Sequence, residues 1–152
     1  MSESIRQFVE FKLGDEKYGI DILQVKTIER MMPITRVPKA PDFVEGVINL
    51  RGEIVPVIDL KKRFDLPSSD ETTDNTRIII VSVDDLTVGM IVDSATEVVQ
   101  LSQKDIEPAP SITSSIDSNY LDGVGKFQER LLILLNVAKL LKPQEISQLA
   151  QM

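Results

Sequence analysis

The chain states one apolar pattern twice, and this duplication constrains its fold more than any single motif. Aligned without gaps, Phe8-Val9-Glu10-Phe11-Lys12-Leu13 through Tyr18-Gly19-Ile20 lies over Ile78-Ile79-Ile80-Val81-Ser82-Val83 through Val88-Gly89-Met90, superimposing Gly19 on Gly89 seventy residues later. A second match follows each copy. Gly46-Val47 through Asp59-Leu60-Lys61-Lys62-Arg63-Phe64 lies over Gly123-Val124 through Asn136-Val137-Ala138-Lys139-Leu140-Leu141. Few residues are identical, so hydropathy repeats rather than letters. Two similar lobes in one small chain offer more than one docking face, which suits an adaptor better than a single-site enzyme.

Within each copy the period is that of strands. Gln7 to Leu13 alternates, Gly14-Asp15-Glu16 is a turn, and Lys17 to Ile22 is a second strand. In the following segment, Gln24 to Met31, Val25 and Ile28 share a face only if the strand bends or a short turn intervenes, so an irregularity is expected there. Pro33, Pro38 and Pro41 punctuate a loop. Phe43 to Leu50 and Glu53 to Ile58 read as a hairpin across Arg51-Gly52. Asp59 then caps a short helix, Leu60 to Phe64, and Asn136, another good N-cap residue, stands at the equivalent place in the second copy.

The second copy predicts strands near 77–83, 86–92, 95–101, 120–126 and 130–135, and Pro143 opens a short C-terminal helix over 143–151. The polar stretch Pro67 to Asn75 marks the join between lobes. Five short strands per lobe at close turn spacing predict an all-β chain of two small barrels, about 14–70 and about 76–142, with the N-terminal strand shared. Lobes of that size have thin cores, so they are expected to bury apolar surface against each other and unfold as one unit.

Composition removes several function classes. A net charge of −7 and a pI near 4.6 argue against nucleic acid, whose phosphates call for clustered Lys and Arg. The chain has no His and no Cys, which removes the commonest general base and the zinc, iron–sulfur and thiol chemistries. No apolar run approaches the roughly 18 residues of a membrane-spanning helix, and the N-terminus lacks the basic start and apolar run of a secretory signal. A cytoplasmic location without direct membrane insertion is expected.

From Ile34 to Phe64 the chain contains, in order, Pro38-Lys39-Ala40-Pro41, Phe43-Val44-Glu45-Gly46-Val47, Asn49-Leu50-Arg51-Gly52 and Pro56-Val57-Ile58-Asp59-Leu60. This ordered set resembles the CheW family of bacterial chemotaxis coupling proteins. The resemblance runs from Phe8 to about Leu141 and takes in Val88-Gly89, Val92-Asp93, Pro108-Ala109-Pro110 and Arg130-Leu131-Leu132-Ile133-Leu134. It implies two five-stranded SH3-like barrels, no catalysis and no cofactor. It also implies two partners: the cytoplasmic tip of a transmembrane chemoreceptor, and the regulatory domain of the histidine kinase CheA, which is itself CheW-like and alternates with such proteins in rings within receptor arrays.

By the same resemblance the receptor groove maps onto Val9, Ile22, Val25, Ile28 and Ala95, with Arg51 at its edge. An apolar strand residue is equally at home in its own barrel's core. Arg51 sits at a hairpin turn on rigid strands, where its fork of donors suits orienting a partner, although a solvated surface charge is arginine's usual fate. Kinase contacts map onto Glu107 and Ile112. There the chain departs from its relatives, since Glu107 is acidic where some are basic, and Ile112 equally fits an anchor for its loop.

Other readings fare worse. Asp15, Asp21, Asp59, Asp84, Asp85, Asp93 and Asp105 are spread over turns and strand ends, where aspartate ordinarily caps backbone. Gly123-Val124-Gly125-Lys126 lacks the Ser/Thr and glycine spacing of a phosphate loop. A receptor-coupling module of a different signalling protein, or one with a phosphorylatable receiver domain appended, and a generic homo-oligomeric scaffold are the remaining alternatives.

Overall fold

The computed structural model describes residues 4–64, 66, 72–83, 85–108 and 121–150. Strands β1 (Ile5–Leu13) and β2 (Glu16–Asp21) form a hairpin, followed by β3 (Val25–Arg30), the hairpin β4 (Val44–Leu50) and β5 (Glu53–Asp59), and helix α1 (Leu60–Arg63). The second half supplies β6 (Arg77–Val83), β7 (Leu86–Val92), β8 (Ser94–Ser102), the two-residue β9 (Ile106–Glu107), β10 (Leu121–Phe127), β11 (Arg130–Leu135) and helix α2 (Pro143–Ala150). Strand positions agree with the sequence pattern to within a residue or two; β9 was not anticipated.

The pairing does not follow the expected boundary near residues 70–76. Among the described residues one sheet runs β8-β1-β2-β11-β10-β9 and the other β3-β6-β7-β5-β4. Each half therefore places its first hairpin in the sheet built by the other half's later strands. Two parallel pairs record the exchange: β2 with β11, where Gly19 faces Leu134, and β7 with β5, where Gly89 faces Val57. Short connections explain it. Only Ile22–Gln24 separates β2 from β3, and only Asp93 separates β7 from β8, which leaves no length to cross back over the parent hairpin. The third strand continues into the other lobe instead.

Burial follows from this arrangement. β6 is a central strand with both faces covered, as its near-continuous Ile-Ile-Ile-Val run requires. Ile78 and Ile80 point into the interior of one SH3-like lobe with Ile48, Val55 and Val57. Ile79, Val81 and Val83 point the other way, into a larger cluster shared with Val9, Phe11, Leu13, Tyr18 and Ile20 of the other sheet. Phe8, Val99, Leu101, Leu132 and Leu134 fill the second lobe. The largest apolar cluster thus joins the lobes. At about 1.5–3 kcal/mol for each large side chain removed from water, it outweighs what either lobe interior contributes alone.

Polar contacts reinforce the junction. The Asp93 amide donates to the Lys12 carbonyl at 3.0 Å, and its carboxylate accepts from the Gly14 amide at 2.7 Å and pairs with Lys61 Nζ at 2.8 Å. The repeated glycines at the start of β4 and β10 also have a common cause. A Cβ on Gly123 would stand 2.7 Å from the Glu107 carbonyl oxygen, and one on Gly46 closer still to that of Thr35, because another backbone crosses at each bulge. The Thr35–Val47 bridge is the first half's counterpart of β9 against β10.

Candidate docking surfaces

The irregularity expected between Val25 and Ile28 is real and has two parts. Asp21 caps a 3₁₀ turn, Ile22–Gln24, by accepting from the Leu23 amide at 2.9 Å. A bulge follows: Val25 faces Val81, Thr27 faces Ile80 and Ile28 faces Ile79, so Lys26 is the extra residue. Because Val81 and Ile79 lie on one face of β6, the bulge brings Val25 and Ile28 onto the same side. β8 repeats the device. Phe11 faces Ala95, Glu10 faces Glu97 and Val9 faces Val98, with Thr96 as the extra position. Val25 and Ala95, like Ile28 and Val98, are equivalent under the seventy-residue offset.

Among the described residues the two bulged strands are edges of their sheets, and they flank the cluster shared by the lobes. Ile22, Val25 and Ala95 are half-buried against that cluster, while Ile28 and Val98 are 42% and 48% exposed. Here is an apolar surface with a firm floor and accessible upper side chains. Val9 belongs to the floor: at 2% exposure it shapes the surface from beneath and offers nothing to touch. Val98 is the member that sequence reasoning missed. The signal was present, since the offset that aligns Gly19 with Gly89 carries Ile28 onto Val98.

Arg51 occupies the β4–β5 turn at φ 53, with Gly52 next at φ 90, and Asn49 Oδ1 accepts the Gly52 amide at 2.8 Å. Its guanidinium Nη2 donates to Glu29 Oε1 at 2.9 Å, so the hairpin tip is tied to the residue after Ile28. Arg51 is 70% exposed and Glu29 19%, which leaves most of the arginine's donors facing outward from an anchored position. Glu29 was not anticipated, although its offset counterpart is the buried Val99.

A second pair of surfaces lies elsewhere on the lobes. Val47, Glu53, Ile54, Pro56, Asp85, Leu86 and Thr87 line a groove of about 430 Å³ together with Val37 and Leu149. Val124, Arg130, Leu131, Ile133, Asp15, Glu16 and Lys17 line another of about 360 Å³. Residue by residue these are equivalent positions of the two repeats, Ile54 on Leu131 and Glu53 on Arg130. Ile54 and Leu131 are 63% and 62% exposed, so each groove presents one large apolar side chain. Their charges differ. Glu53 meets Arg130 in the alignment, and Thr87 meets Lys17.

Glu107 sits beside the second groove, facing Val124 across the β9–β10 pair. It is exposed and forms an ion pair with Lys126 at 2.8 Å, whose hydrogen bond and charge hold the Lys126 ammonium above its ordinary range. Ile112 lies outside the described residues. Asp59 accepts from the Lys61 and Lys62 amides at 2.9 and 3.4 Å, and Asn136 accepts from Ala138 at 3.0 Å, so both act as the caps their positions predict. Among the described residues no three Asp or Glu side chains are placed to hold a metal ion, and no helix is long and apolar enough to cross a membrane.

Comparison with known proteins agrees with this architecture. The family model for the CheW-like domain matches residues 7–145. The chain is 40% identical to the chemotaxis protein CheW of Klebsiella aerogenes, over 93% of its own length and 85% of that protein's. It is 39% identical to that of Helicobacter pylori, over 93% and 84%. The crystal structure of the scaffolding protein TtCheW from Thermoanaerobacter tengcongensis superimposes with a TM-score of 0.84 at 36% identity, covering 95% of this chain and 92% of that one. With the ordered motifs, the duplicated lobes and the whole-length match in agreement, this chain belongs to the CheW-like domain family.

Proposed function

We propose that this protein is a non-catalytic coupler that joins the cytoplasmic tip of a transmembrane chemoreceptor to the regulatory domain of the histidine kinase CheA, acting in the cytoplasm at membrane receptor arrays. The observation that carries the reading is the pair of bulged edge strands, whose Val25, Ile28, Ala95 and Val98 border the core shared by the lobes, with Arg51 anchored alongside by Glu29. A receptor tip is a helical hairpin. A helix docks by laying apolar side chains on an apolar floor with a polar rim, and this surface offers both.

The two equivalent grooves around Ile54 and Leu131 support the kinase half of the reading. A partner with the same duplicated fold presents the same two kinds of groove, so modules of this family fit one another head to tail and extend into closed or open assemblies. Glu107 borders the second groove and belongs to the same proposed contact. Ile28→Glu, Val98→Glu and Arg51→Glu are expected to weaken capture of a receptor cytoplasmic fragment at least tenfold with kinase-domain binding unchanged, and the Ile28 and Val98 variants to keep the wild-type melting temperature. Undiminished receptor capture by all three variants would refute the assignment of this surface.

A further inference from the structure

The apolar surface on the two bulged strands is nearly two-fold. The offset that carries Val25 onto Ala95 and Ile28 onto Val98 makes the strands alike in register and hydropathy, so their apolar residues alone give a docked helix no preferred direction. One step further out the equivalence breaks. On the same side of β3 as Ile28 stands Arg30, directly opposite Arg77 of β6. On the same side of β8 as Val98 stands Gln100, directly opposite Gln7 of β1. The same offset carries Arg30 onto Gln100 and Gln7 onto Arg77, so one flank ends in an arginine pair and the other in a glutamine pair.

Like charges directly opposite on neighbouring strands destabilise a sheet. Among the described residues no carboxylate offsets this pair. Glu29 alternates to the other side of β3, and its charge is met by Arg51 at 2.9 Å. Arg30 is exposed and makes no ion pair among the described residues. Arg77 Nη1 donates to the Asp74 and Thr76 carbonyls at 2.7 and 2.9 Å, which holds the side chain in place without cancelling its charge. The other two arginines on strands each hold a carboxylate, Arg6 that of Asp21 at 3.0 Å and Arg130 that of the buried Glu10 at 3.5 Å. Acidic residues outnumber basic ones by 24 to 17, so a shortage of carboxylates does not explain the bare pair.

We propose that the Arg30–Arg77 pair seats a carboxylate side chain of the docked receptor helix and so fixes the direction in which that helix crosses the surface, because the glutamine pair on the other flank offers the charge no counterpart. The inference rests on the reading that this surface takes a receptor tip, and it specifies the partner as a helix with an acidic side chain toward one end of its apolar stripe. Arginine suits the task, since its planar fork of donors matches a carboxylate in geometry as well as charge. Complementarity of this kind sets register and excludes the reversed arrangement more than it adds raw affinity.

Variants of the full chain would be titrated with a receptor cytoplasmic fragment and, separately, with the kinase regulatory domain at several ionic strengths, and melted in parallel. Ile28→Glu and Val98→Glu report on the surface itself; undiminished receptor capture by both would remove the reading on which the inference rests. With those two defective, Arg30→Gln is expected to weaken receptor capture about fivefold, flatten its salt dependence, leave kinase-domain binding unchanged and melt at or above the wild-type temperature. A merely structural role does not combine undiminished stability with weaker, less salt-sensitive binding. Direction is read with a nitroxide on one end of the receptor fragment's docking helix, which is expected to broaden the amides of one flank only, β3 or β8. Exchanging the pairs, by Arg30→Gln and Arg77→Gln together with Gln7→Arg and Gln100→Arg, is expected to move the broadening to the other flank. Should the fourfold variant fold poorly, Arg30→Gln with Arg77→Gln is expected to broaden both flanks. Wild-type affinity and salt slope in Arg30→Gln, or broadening that stays on the original flank in these combined variants, would overturn the proposal and leave the surface intact.

Discussion

At the residue scale the two caps, Asp59 and Asn136, differ in a way that burial explains. Burial pushes the Asp59 carboxyl up, and the amides of Lys62 and Lys61 that favour its charged form only partly offset the effect. A carboxyl raised in the folded state favours folding in acid and opposes it once pH rises above the folded pKa, since the unfolded chain ionises more readily. Asn136 performs the same capping without a charge. Asp59→Asn is therefore expected to melt no lower than wild type at pH 7, with any advantage shrinking as pH falls toward the carboxylate range. Thermal melts across pH 3–8 check this; a variant several degrees less stable at pH 7 would mean that the charged cap is worth more than its desolvation.

At the element scale the C-terminal helix depends on one contact that neither segment suggests alone. Arg63 Nη1 and Nη2 donate to Glu145 Oε2 and Oε1 at 2.8 and 2.6 Å, and Arg63 Nε donates to the Leu140 carbonyl at 3.1 Å. Both side chains are mostly buried, at 12% and 13% exposure, so the fork-shaped pair holds α2 on α1 while Leu149 and Ile146 pack on the shared core. Burial raises the Glu145 carboxyl, but Arg63 and the Lys142 amide outweigh it and the net shift is downward. The contribution is thus present above the ordinary glutamate range and lost as pH falls through the lowered value. Glu145→Ala is expected to cost about 2–3 kcal/mol in urea unfolding at pH 7, and the gap to wild type should close in acid. A pH-independent gap would assign the loss to something other than the ion pair.

For the whole molecule the exchanged hairpins have the largest consequence. Each sheet takes strands from both halves, so cutting between residues 70 and 76 divides both lobes rather than separating them. Fragments 1–72 and 73–152 are each expected to lack a native near-ultraviolet spectrum and to recover it on mixing, and the intact chain should unfold in one transition. A half that folds alone would contradict the shared core as the main source of stability.

How much of this was legible varies with the range of the interaction. Strand positions, both caps and the Val25–Ile28 irregularity follow from local pattern and backbone chemistry, which a string of residues displays directly. The two offsets carry Ile28 onto Val98 and Ile54 onto Leu131, yet neither residue was anticipated, because an offset alone does not tell an exposed strand position from a buried one. Residues such as Glu29 and Glu10 are different. Each breaks the repeat by placing a charge where its counterpart is Val99 or Ile80, and only a partner brought from elsewhere, Arg51 or Arg130, explains the substitution. Sequence by itself determined that two similar strand-built units exist and which side of each strand is apolar, because side-chain alternation and turn chemistry act over a few residues. Tertiary structure decided that the units trade hairpins, that Val9 lies under the surface rather than on it, and that Arg63 and Glu145 meet. Those outcomes depend on contacts between residues far apart in the chain, set by how short connections force strands across from one sheet to the other.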